Sequence, residues 1–345
     1  MIYERRKWMQ KLQLGTIGTS WITDSFIKAA LETGYYDLNT VYSRNKDTGI
    51  KFANKYGKVT IETNLENLMK KEELDIIYIA SPNSLHYEQS LSALKAQKHV
   101  MVEKPATLNE EEWNKLLEVA KENNVFILEA AKHMHLPNLE KIADEIKKLG
   151  EVRGAVFPYI RYSSRYDNVL AGEEPNVFSL KFAGGALMDL GIYPIYTAVA
   201  LFGEPKESYF FSRKIVTGVD GIGTVILRYA DFDLTILVGK IATSMAEVEI
   251  YGADHTLVID HVSHLEKARL VDIRTMEEEK IDLVEAKEND MFYEAETLAK
   301  MIQNPDSQET KEKYNELSEW ARIVSRLLKD LRMQSDLYFE AENKD

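Results

Sequence analysis

The sequence contains no cysteine among its 345 residues. The chain therefore forms no disulfide, has no thiol nucleophile and offers no thiolate to a metal ion, and this composition fits a reducing compartment. It also lacks any apolar run of the roughly 18 residues that a membrane-spanning helix needs. The first ten residues carry basic side chains with no apolar core behind them, which is unlike a signal peptide. We expect a cytoplasmic protein with no membrane partner and a disordered extension at residues 1–10.

The sequence also has fewer basic than acidic side chains, 43 against 56, which gives a net charge of −13. An acidic chain is a poor ligand for nucleic acid, so we expect no such partner. The histidine pairs His133/His135 and His261/His264 have no carboxylate pattern that would complete a tetrahedral site, so we expect no metal. Hydrolase and nucleoside triphosphatase motifs are absent from the sequence as well.

What the sequence does contain is an ordinary globular composition, with 45% hydrophobic and 29% charged residues. Its length suggests two domains of about 150 residues each. We predict a dinucleotide-binding domain at residues 11–131. A substrate and dimerisation domain follows at residues 132–345, and its closing helices could pack back on the first domain.

The first domain alternates strands with helices. Strands are predicted at residues 11–18, 38–42, 75–80, 99–102 and 125–128, with helices between them. The segment Asp-Ile-Ile-Tyr-Ile-Ala at 75–80 is apolar on both faces, which is typical of a parallel sheet covered by helices on both sides. The fold class predicted is α/β, with a Rossmann doubly wound parallel sheet.

The second domain begins with a connecting helix at 138–149, after which strands follow one another instead of alternating with helices. A helical segment at 185–202 precedes seven consecutive strands, predicted at 209–216, 224–229, 234–241, 247–251, 256–259, 268–274 and 280–283. Two amphipathic helices close the chain. This order predicts a C-terminal α/β domain with an open, mostly antiparallel sheet.

The predicted helices suffice to cover one face of that second sheet. Alternation at 234–241 leaves apolar side chains on both sides of the strand, Leu234, Ile236 and Val238 on one and Leu237 on the other. A bare apolar sheet face exceeds the exposed area that monomers usually tolerate. We therefore expect a homodimer or a dimer of dimers; the alternative is a face polar enough to be solvated.

A candidate phosphate-binding turn joins the first strand to the first helix. Gly15-Thr-Ile-Gly18-Thr-Ser20 resembles the dinucleotide pattern G-x-G-x-x-G/A, with Gly18 in place and Ser20 instead of the second glycine. Small residues there let a pyrophosphate approach the backbone and rest on the helix N-terminus. The alternative is an ordinary tight turn between a strand and a helix.

The second strand ends in Ser43-Arg44-Asn45-Lys46, where a dinucleotide fold reads the adenosine ribose. An acidic residue at this position would favour NAD(H). A hydroxyl, a guanidinium and an ammonium instead favour the 2′-phosphate of NADP(H), with NAD(H) possible. The alternative is that Arg44 and Lys46 are solvated loop charges.

Two further motifs carry polar side chains. Glu103-Lys104-Pro105 ends a parallel strand, at the sheet edge where such folds bind ligands. Asp189 and Tyr193 are four residues apart in the glycine-rich helical segment 184–194, so helical geometry places both on one face. Pro194 predicts a break near Gly191. Each motif taken alone is more typical of a surface charge or a packing helix.

In this order, together with Ala80-Ser81-Pro82-Asn83 and His86, these motifs resemble the Gfo/Idh/MocA family of nicotinamide-dependent oxidoreductases. The resemblance extends over nearly the whole chain from about residue 11. It implies catalytic roles for Lys104, Asp189 and Tyr193. The implied cofactor-binding residues are Gly18, Ser20, Trp21, Ile22, Ser43, Arg44, Ala80, Ser81, Asn83, His86, Glu103 and Lys104.

The tyrosines at positions 193 and 196 depart from the inositol dehydrogenase branch, which has a histidine where Tyr193 stands and an aspartate where Tyr196 stands. The departure resembles the dihydrodiol dehydrogenase and glucose–fructose oxidoreductase branches, which implies a sugar, polyol or dihydrodiol substrate and speaks against inositol. A phenol has a pKa of about 10, but a neighbouring ammonium such as Lys104 would favour the tyrosinate. Either Tyr193 or Lys104 could therefore carry the proton that accompanies hydride transfer, with Asp189 orienting the substrate or holding Lys104 charged.

Two rival functions remain open at this stage. One is a redox-assisted glycosidase, in which a tightly held NAD oxidises the sugar transiently and takes no part in net turnover. The other is a sensor that binds NAD(P) without catalysis, although a sensor would need only the cofactor half of the site. Substrate contacts are expected from Tyr159, Arg161, Tyr162, Asn176 and Lys181.

Overall fold

The structure, a computed structural model, describes residues 11–343. The disordered extension predicted at residues 1–10 lies outside the described residues. Two compact units are present. The first contains residues up to 107 together with 111–132 and 287–319, and the second contains residues 108–110, 133–286 and 320 onward. Residues 287–319 therefore belong to the first unit again, although they follow residues 133–286 of the second unit in the chain.

The first unit is a six-stranded parallel sheet with helices between its strands. Its elements are β1 (Leu12–Ile17), α1 (Trp21–Glu32), β2 (Tyr36–Tyr42), α2 (Lys46–Ala53), β3 (Thr60–Glu62), α3 (Leu65–Met69), β4 (Ile76–Ile79), α4 (His86–Lys95), β5 (His99–Glu103), α5 (Glu110–Glu122) and β6 (Ile127–Ala130). The strand order is β3-β2-β1-β4-β5-β6, with every pair parallel. This is the Rossmann order, so the predicted fold is confirmed.

Burial on both faces explains why this sheet forms. All four residues of β4 are buried, and the ring of Tyr78 stacks on Phe26 of α1 with centroids 3.7 Å apart. Helix α9 (Met291–Gln303), from the end of the chain, also belongs to this unit and packs on α1. The hydroxyl of Tyr36 donates a hydrogen bond to the carbonyl of Ala295, 2.7 Å away. The short strand β3 has too few residues to be predicted from the sequence pattern.

The second unit is built on an eight-stranded sheet. Its elements are α6 (Asn138–Lys148), β7 (Gly154–Ile160), α7 (Tyr166–Leu170), a π-helical turn (Leu187–Gly191), α8 (Ile192–Phe202), β8 (Glu207–Lys214), β9 (Asp220–Arg228), β10 (Asp233–Gly239), β11 (Val248–Tyr251), β12 (His255–Ile259), β13 (Ala268–Asp272) and β14 (Glu278–Ile281). The order is β14-β13-β12-β11-β7-β10-β9-β8. Only the β7–β10 pair is parallel, which confirms the predicted mostly antiparallel sheet.

The sequence pattern does not predict strand β7. It lies in the middle of the sheet, between β11 and β10, yet it contains Pro158. A proline donates no hydrogen bond to a neighbouring strand and normally argues against a central position. The predicted helical segment at 185–202 is present as the π-helical turn followed by α8, and Pro194 lies in the first turn of α8. The break expected near Gly191 is thus a change from π to α geometry.

The closing helix α10 (Gln308–Met333) contributes its first part to the first unit and its remainder to the second. Within the described residues, the stretch Leu180–Phe202 is long and apolar enough to cross a membrane by length and composition alone. Its most apolar window is 67% buried inside the fold, which is how the core helix of a globular unit behaves. The expected location in the cytoplasm stays a prediction.

The two faces of the second sheet differ in burial. Leu234, Ile236 and Val238 point to the covered face and are fully buried, whereas Leu237 on the opposite face is half-buried. Phe211 of β8, which points to the same side as Leu237, is 66% exposed. Apolar side chains therefore remain accessible on this outer face, and the homodimer that would cover them stays a prediction.

We predict that Leu237→Lys converts a dimer to the 39.6 kDa monomer, because it places a charge in the centre of the outer face. Light scattering at micromolar concentration measures the mass. Leu170→Lys is the matched control, since Leu170 is 68% exposed on α7, away from the sheet. A wild-type mass equal to one chain would contradict the dimer. Val238 is unsuitable for this test because its side chain lies in the core.

Candidate active site

The turn after β1 is shaped by a close approach between two backbone segments. Gly18 has a φ of +121°, and a Cβ built on it would lie 2.7 Å from the carbonyl oxygen of Ala80. Only glycine fits this position. Helix α1 begins at Trp21, and among the described residues Ser20 gives it no capping hydrogen bond from its side chain. The first N–H groups of α1 can therefore be offered to an anion.

The remaining residues of this turn differ in exposure. Trp21 is 78% exposed, and Ile22 is half-buried. The hydroxyl of Ser20 lies 3.4 Å from that of Thr23. The large exposed ring of Trp21, at the start of a helix, is a side chain that a flat ligand group could cover.

The loop after β2 presents two exposed cations. Ser43 is buried, and its N–H donates to the carbonyl of Glu62 at 3.0 Å. Arg44 and Lys46 are exposed and form no hydrogen bond or ion pair with any residue that the structure describes. Asn45 caps α2, its side-chain oxygen accepting a hydrogen bond from the N–H of Thr48 at 2.9 Å. The cap fixes the loop while both cations remain available to an anion.

The loop after β4 is held by a buried histidine. Nδ1 of His86 lies 2.8 Å from the carbonyl oxygen of Pro105, and Nε2 lies 2.8 Å from that of Ser81. Burial lowers the pKa of His86, although both carbonyls act in the opposite direction. Because both ring nitrogens contact backbone, His86 joins the Ser81 loop to the Pro105 loop and offers no ring nitrogen to a cofactor. Asn83 begins the 3₁₀ turn Asn83–Leu85 in the same loop.

The Glu103-Lys104-Pro105 segment follows directly from β5. Glu103 is buried, and its carboxylate accepts a hydrogen bond of 2.5 Å from the Tyr78 hydroxyl. Burial raises the pKa of Glu103, while Tyr78 and the Lys104 ammonium lower it. The Lys104 side chain is half-buried. Glu103 thus anchors the end of the strand beside the lysine that follows it.

Three charged residues near this segment were not predicted from the sequence. Nζ of Lys132 donates to Asp290 at 2.6 Å. Glu294 is fully buried, and neither of its carboxyl oxygens has a hydrogen-bond partner among the described residues. Burial, with Glu103 adding to it, raises the pKa of Glu294 well above its ordinary value. In the sequence, Glu294 stands among the apolar positions of α9. Its spacing alone therefore does not distinguish it from a residue of the hydrophobic core.

In the second unit, Asp189 lies in the π-helical turn and Tyr193 lies in the first turn of α8. π-Helical turns are rare and are frequently found at functional sites. The Tyr193 ring is half-buried between His133, 4.9 Å away between centroids, and Tyr159, 5.5 Å away. The carbonyl of Tyr193 contacts Nε2 of His133 at 3.1 Å. The ring is therefore fixed on two sides by aromatic neighbours.

Two buried charges that the sequence did not reveal hold the π-helical turn. Nζ of Lys240 donates to the carboxylate of Asp189 at 2.6 Å. Asp220 accepts a hydrogen bond of 2.7 Å from the N–H of Leu187. Burial raises the pKa of Asp220 to about 6, although the hydrogen bond from Leu187 and the Lys240 ammonium lower it. A Cβ at Gly185 would overlap with the same carboxylate.

A polar cavity of about 420 Å³ lies at the end of β7. It is lined by Tyr159 and Arg161, two of the predicted substrate contacts, and by residues such as Thr243, His261 and His264. The ring of Tyr159 contacts both His261, at 4.6 Å, and Tyr193. Within the described residues, no group of three histidine, aspartate or glutamate side chains could hold a metal ion.

The other predicted substrate contacts do not line this cavity. The Tyr162 hydroxyl donates to Asp167 at 2.7 Å. Asn176 begins the 3₁₀ turn Asn176–Phe178, and Lys181 lies in the next turn, Leu180–Phe182. These positions stay predictions, as do the roles of the cofactor and catalytic residues.

A six-stranded Rossmann sheet with a glycine turn at the start of its first helix is typical of the class of dinucleotide-binding proteins. Residues 12–130 match the model of the GFO_IDH_MocA oxidoreductase family with its NAD-binding Rossmann fold. Residues 145–258 match the GFO/IDH/MocA C-terminal domain. The chain belongs to this family and is an oxidoreductase, which confirms both the predicted family and the predicted enzyme class.

Two relatives match over nearly their whole length. The chain is 36% identical over 333 residues to the uncharacterized oxidoreductase YgjR of Escherichia coli, covering 96% of this chain and 99% of that protein. It is also 36% identical over 331 residues to the scyllo-inositol 2-dehydrogenase (NADP(+)) IolU of Bacillus subtilis, with the same coverage. Among solved structures, the 3-ketoreductase KijD10 of Actinomadura kijaniata in complex with NADP and TDP-benzene has the same fold. Its TM-score is 0.80 at 20% identity, covering 94% of this chain and 98% of that one.

We predict that Gly18→Ala weakens dinucleotide binding and lowers the free energy of unfolding by about 1–3 kcal/mol, the usual cost of a backbone held in a disfavoured region. The added Cβ must also move the Ala80 carbonyl. Fluorescence titration with NADPH and urea unfolding measure the two effects. Gly34→Ala is the control, since its φ is also positive but its Cβ would meet no atom within 4 Å. Unchanged NADPH affinity in Gly18→Ala would contradict the assignment of this turn.

Proposed function

We propose that this enzyme transfers a hydride between NADP(H) and a secondary alcohol or ketone of a sugar or cyclic polyol. The observation that carries the proposal is a pair of cationic side chains after β2, Arg44 and Lys46, for which the described residues provide no partner. None of residues 43–46 is acidic, so the position that would hold the carboxylate of an NAD(H)-selective site has none. The names of IolU and of the KijD10 complex, both with NADP, support the same cofactor.

The residues of the first unit fit such a dinucleotide. Gly18 leaves the backbone open where a pyrophosphate would approach, and the N-terminus of the 12-residue helix α1 favours negative charge. Arg44 would form a charge-assisted hydrogen bond to the 2′-phosphate. NAD(H), which lacks that phosphate, would bind through the remaining contacts and is expected to be the weaker cofactor.

The polar cavity at the end of β7 supports a hydroxyl-rich substrate. Its lining offers a guanidinium, imidazoles and hydroxyls, a mixture of donors and acceptors that matches the hydroxyl groups of a polyol. The residues that speak against inositol are those at positions 193 and 196. A relative named as a scyllo-inositol dehydrogenase, 36% identical over 96% of this chain, outweighs these two positions. The proposed substrate class therefore includes inositols.

The chemistry requires one hydride and one proton to leave the alcohol. The bound nicotinamide supplies the acceptor for the hydride, or its donor in the reverse direction. As the C–H bond breaks and the carbonyl forms, the hydroxyl proton passes to Tyr193 or to Lys104, whichever acts as the base. Asp189 accepts a hydrogen bond from the substrate hydroxyl and orients it. We therefore expect the enzyme to bind a small polar molecule as its substrate.

We predict that Arg44→Ala raises the dissociation constant of NADPH by about tenfold or more and leaves that of NADH nearly unchanged, because NADPH alone loses a charge-assisted contact. Titration of both cofactors at fixed ionic strength measures the effect. Lys51→Ala removes an exposed charge from α2 and serves as the control for long-range electrostatics. Equal wild-type affinities for the two cofactors would refute the NADP(H) preference.

We predict that Tyr193→Phe and Lys104→Met each lower kcat by roughly a hundredfold or more, the usual contribution of general acid–base catalysis, without weakening NADPH binding. The kcat of Asp189→Asn should lie between the values of these two variants and that of the wild type. The substrate is first found with a panel of inositols, sugars, dihydrodiols and dicarbonyls, followed by cofactor absorbance. Tyr338→Phe, at an exposed position, is the control. Full turnover in Tyr193→Phe would leave that phenol with a structural role.

The same panel separates the rival functions. A redox-assisted glycosidase would consume a glycoside while the absorbance of added NADPH stayed constant. A sensor would bind NADPH and turn over no substrate in the panel. Net oxidation of NADPH, or reduction of NADP⁺, coupled to one of these substrates supports the proposed function.

A further inference from the structure

Lys240, directly after β10, is a buried lysine in the second unit, with 2% of its surface exposed. Its Nζ lies 2.6 Å from Oδ2 of Asp189 and 3.3 Å from the carbonyl oxygen of Val177. It also lies 4.6 Å from the centroid of the Phe178 ring. A buried ammonium is costly unless it is paired and hydrogen-bonded, so this site needs the negative charge of Asp189.

The surroundings of this ion pair are apolar on one side. Phe178 packs in a core cluster with Val169 and Val219, against which Leu180 and Ile241 are partly buried. A low local dielectric strengthens the attraction between the two charges. Among the described residues, the carboxyl groups near Lys240 include Asp189, in the π-helical turn, and Asp220, at the start of β9. The phenol of Tyr166 belongs to the cluster around Phe178, with ring centroids 5.7 Å apart.

The two carboxylates have different tasks in this arrangement. Asp220 is 1% exposed and accepts the hydrogen bond from the N–H of Leu187, so it fixes the backbone at the start of the π-helical turn. Asp189 is 32% exposed while one of its oxygens is held by Lys240. Asp189 is thus the member of the cluster that can meet a molecule from outside.

We propose that Lys240 is a positioning residue for the reaction, which keeps Asp189 ionised and fixes the direction of its carboxylate. The inference rests on the proposed function, in which Asp189 orients the substrate hydroxyl. An ionised Asp189 accepts a hydrogen bond from the substrate and donates no proton to it. The proton of the reaction is then left to Lys104 or Tyr193, and Asp189 is not a general acid.

The test is the pH dependence of turnover in Lys240→Gln, which removes the charge and keeps a hydrogen-bond donor, and in Lys240→Met. Without the ammonium, Asp189 needs a higher pH to ionise. We expect the acid limb of the kcat profile to move up by about one pH unit or more in both variants, while the NADPH dissociation constant stays within about twofold of the wild type. A profile that keeps its shape and falls equally at every pH would overturn the proposal.

Two comparisons isolate the contribution of Asp189. Lys148→Met is the matched control, because Lys148 forms an ion pair of the same length, 2.6 Å to Glu145, but is 65% exposed. In an Asp189→Asn background, Lys240→Met should cause no further loss of kcat, because the two residues act as one unit. Additive losses would mean that Lys240 acts independently of Asp189. Asp220→Asn combined with Lys240→Gln should retain the displaced acid limb, which excludes Asp220 as its source.

A spectroscopic measurement keeps the proposal testable if the neutral variants do not fold. In wild-type enzyme with ¹³C-labelled aspartate carboxyl groups, Asp189→Asn and Asp220→Asn assign the two resonances. The carboxyl of Asp189 should protonate at a lower pH than that of Asp220, whose pKa burial raises to about 6. Protonation of Asp189 at the same or a higher pH would overturn the proposal. Full turnover in Asp189→Asn would instead refute the role of Asp189 in the proposed function, and the titration would still report on Lys240.

Discussion

The strand order of the parallel sheet is the constraint on which the cofactor half of the enzyme depends. From neighbouring positions, β1 leads through α1 to β2 on one side, and β4 leads through α4 to β5 on the other. Connections that diverge in this way leave an uncovered gap at the carboxyl ends of β1 and β4. The gap is narrow enough for the backbone of Gly18 to approach the carbonyl of Ala80, and this close approach requires glycine. The turn, the exposed Trp21 and the cations after β2 all occupy this edge of the sheet.

In both units, buried charged groups hold segments that carry candidate site residues. In the first unit, Glu103 and its hydrogen bond from Tyr78 anchor the strand that ends at Lys104. In the second unit, Lys240 and Asp220 form hydrogen bonds with the π-helical turn that contains Asp189. Such groups contribute little to stability when compared with apolar residues of the same volume, because desolvation offsets the attraction. Their effect is geometric, since a buried pair with good hydrogen bonds has few alternative arrangements.

The sequence predicts those parts of the fold that depend on local pattern. Strand β4 and helix α5 follow from continuous and helical apolar spacing. The parallel sheet follows from the alternation of strands and helices, although its short edge strand β3 was not predicted. Strand β7 was missed because Pro158 contradicts a central strand, and only the surrounding strands make that position acceptable. Motifs located the loops that would hold the cofactor. The sequence does not predict the roles of Lys240 and Asp220, because their partners Asp189 and Leu187 lie 51 and 33 residues away along the chain. Only folding brings them into contact.

The net charge of −13 limits how the enzyme can recognise an anionic cofactor. A negative protein repels a dinucleotide phosphate at long range, so electrostatic steering cannot supply the selectivity. At physiological salt this repulsion is screened beyond about 8 Å, whereas a direct contact is not. Selectivity for a 2′-phosphate must therefore come from short-range hydrogen bonds. Arg44 and Lys46 suit this requirement because no acidic neighbour within the described chain has already neutralised them. An intramolecular ion pair at either cation would have removed the contact that distinguishes the two cofactors.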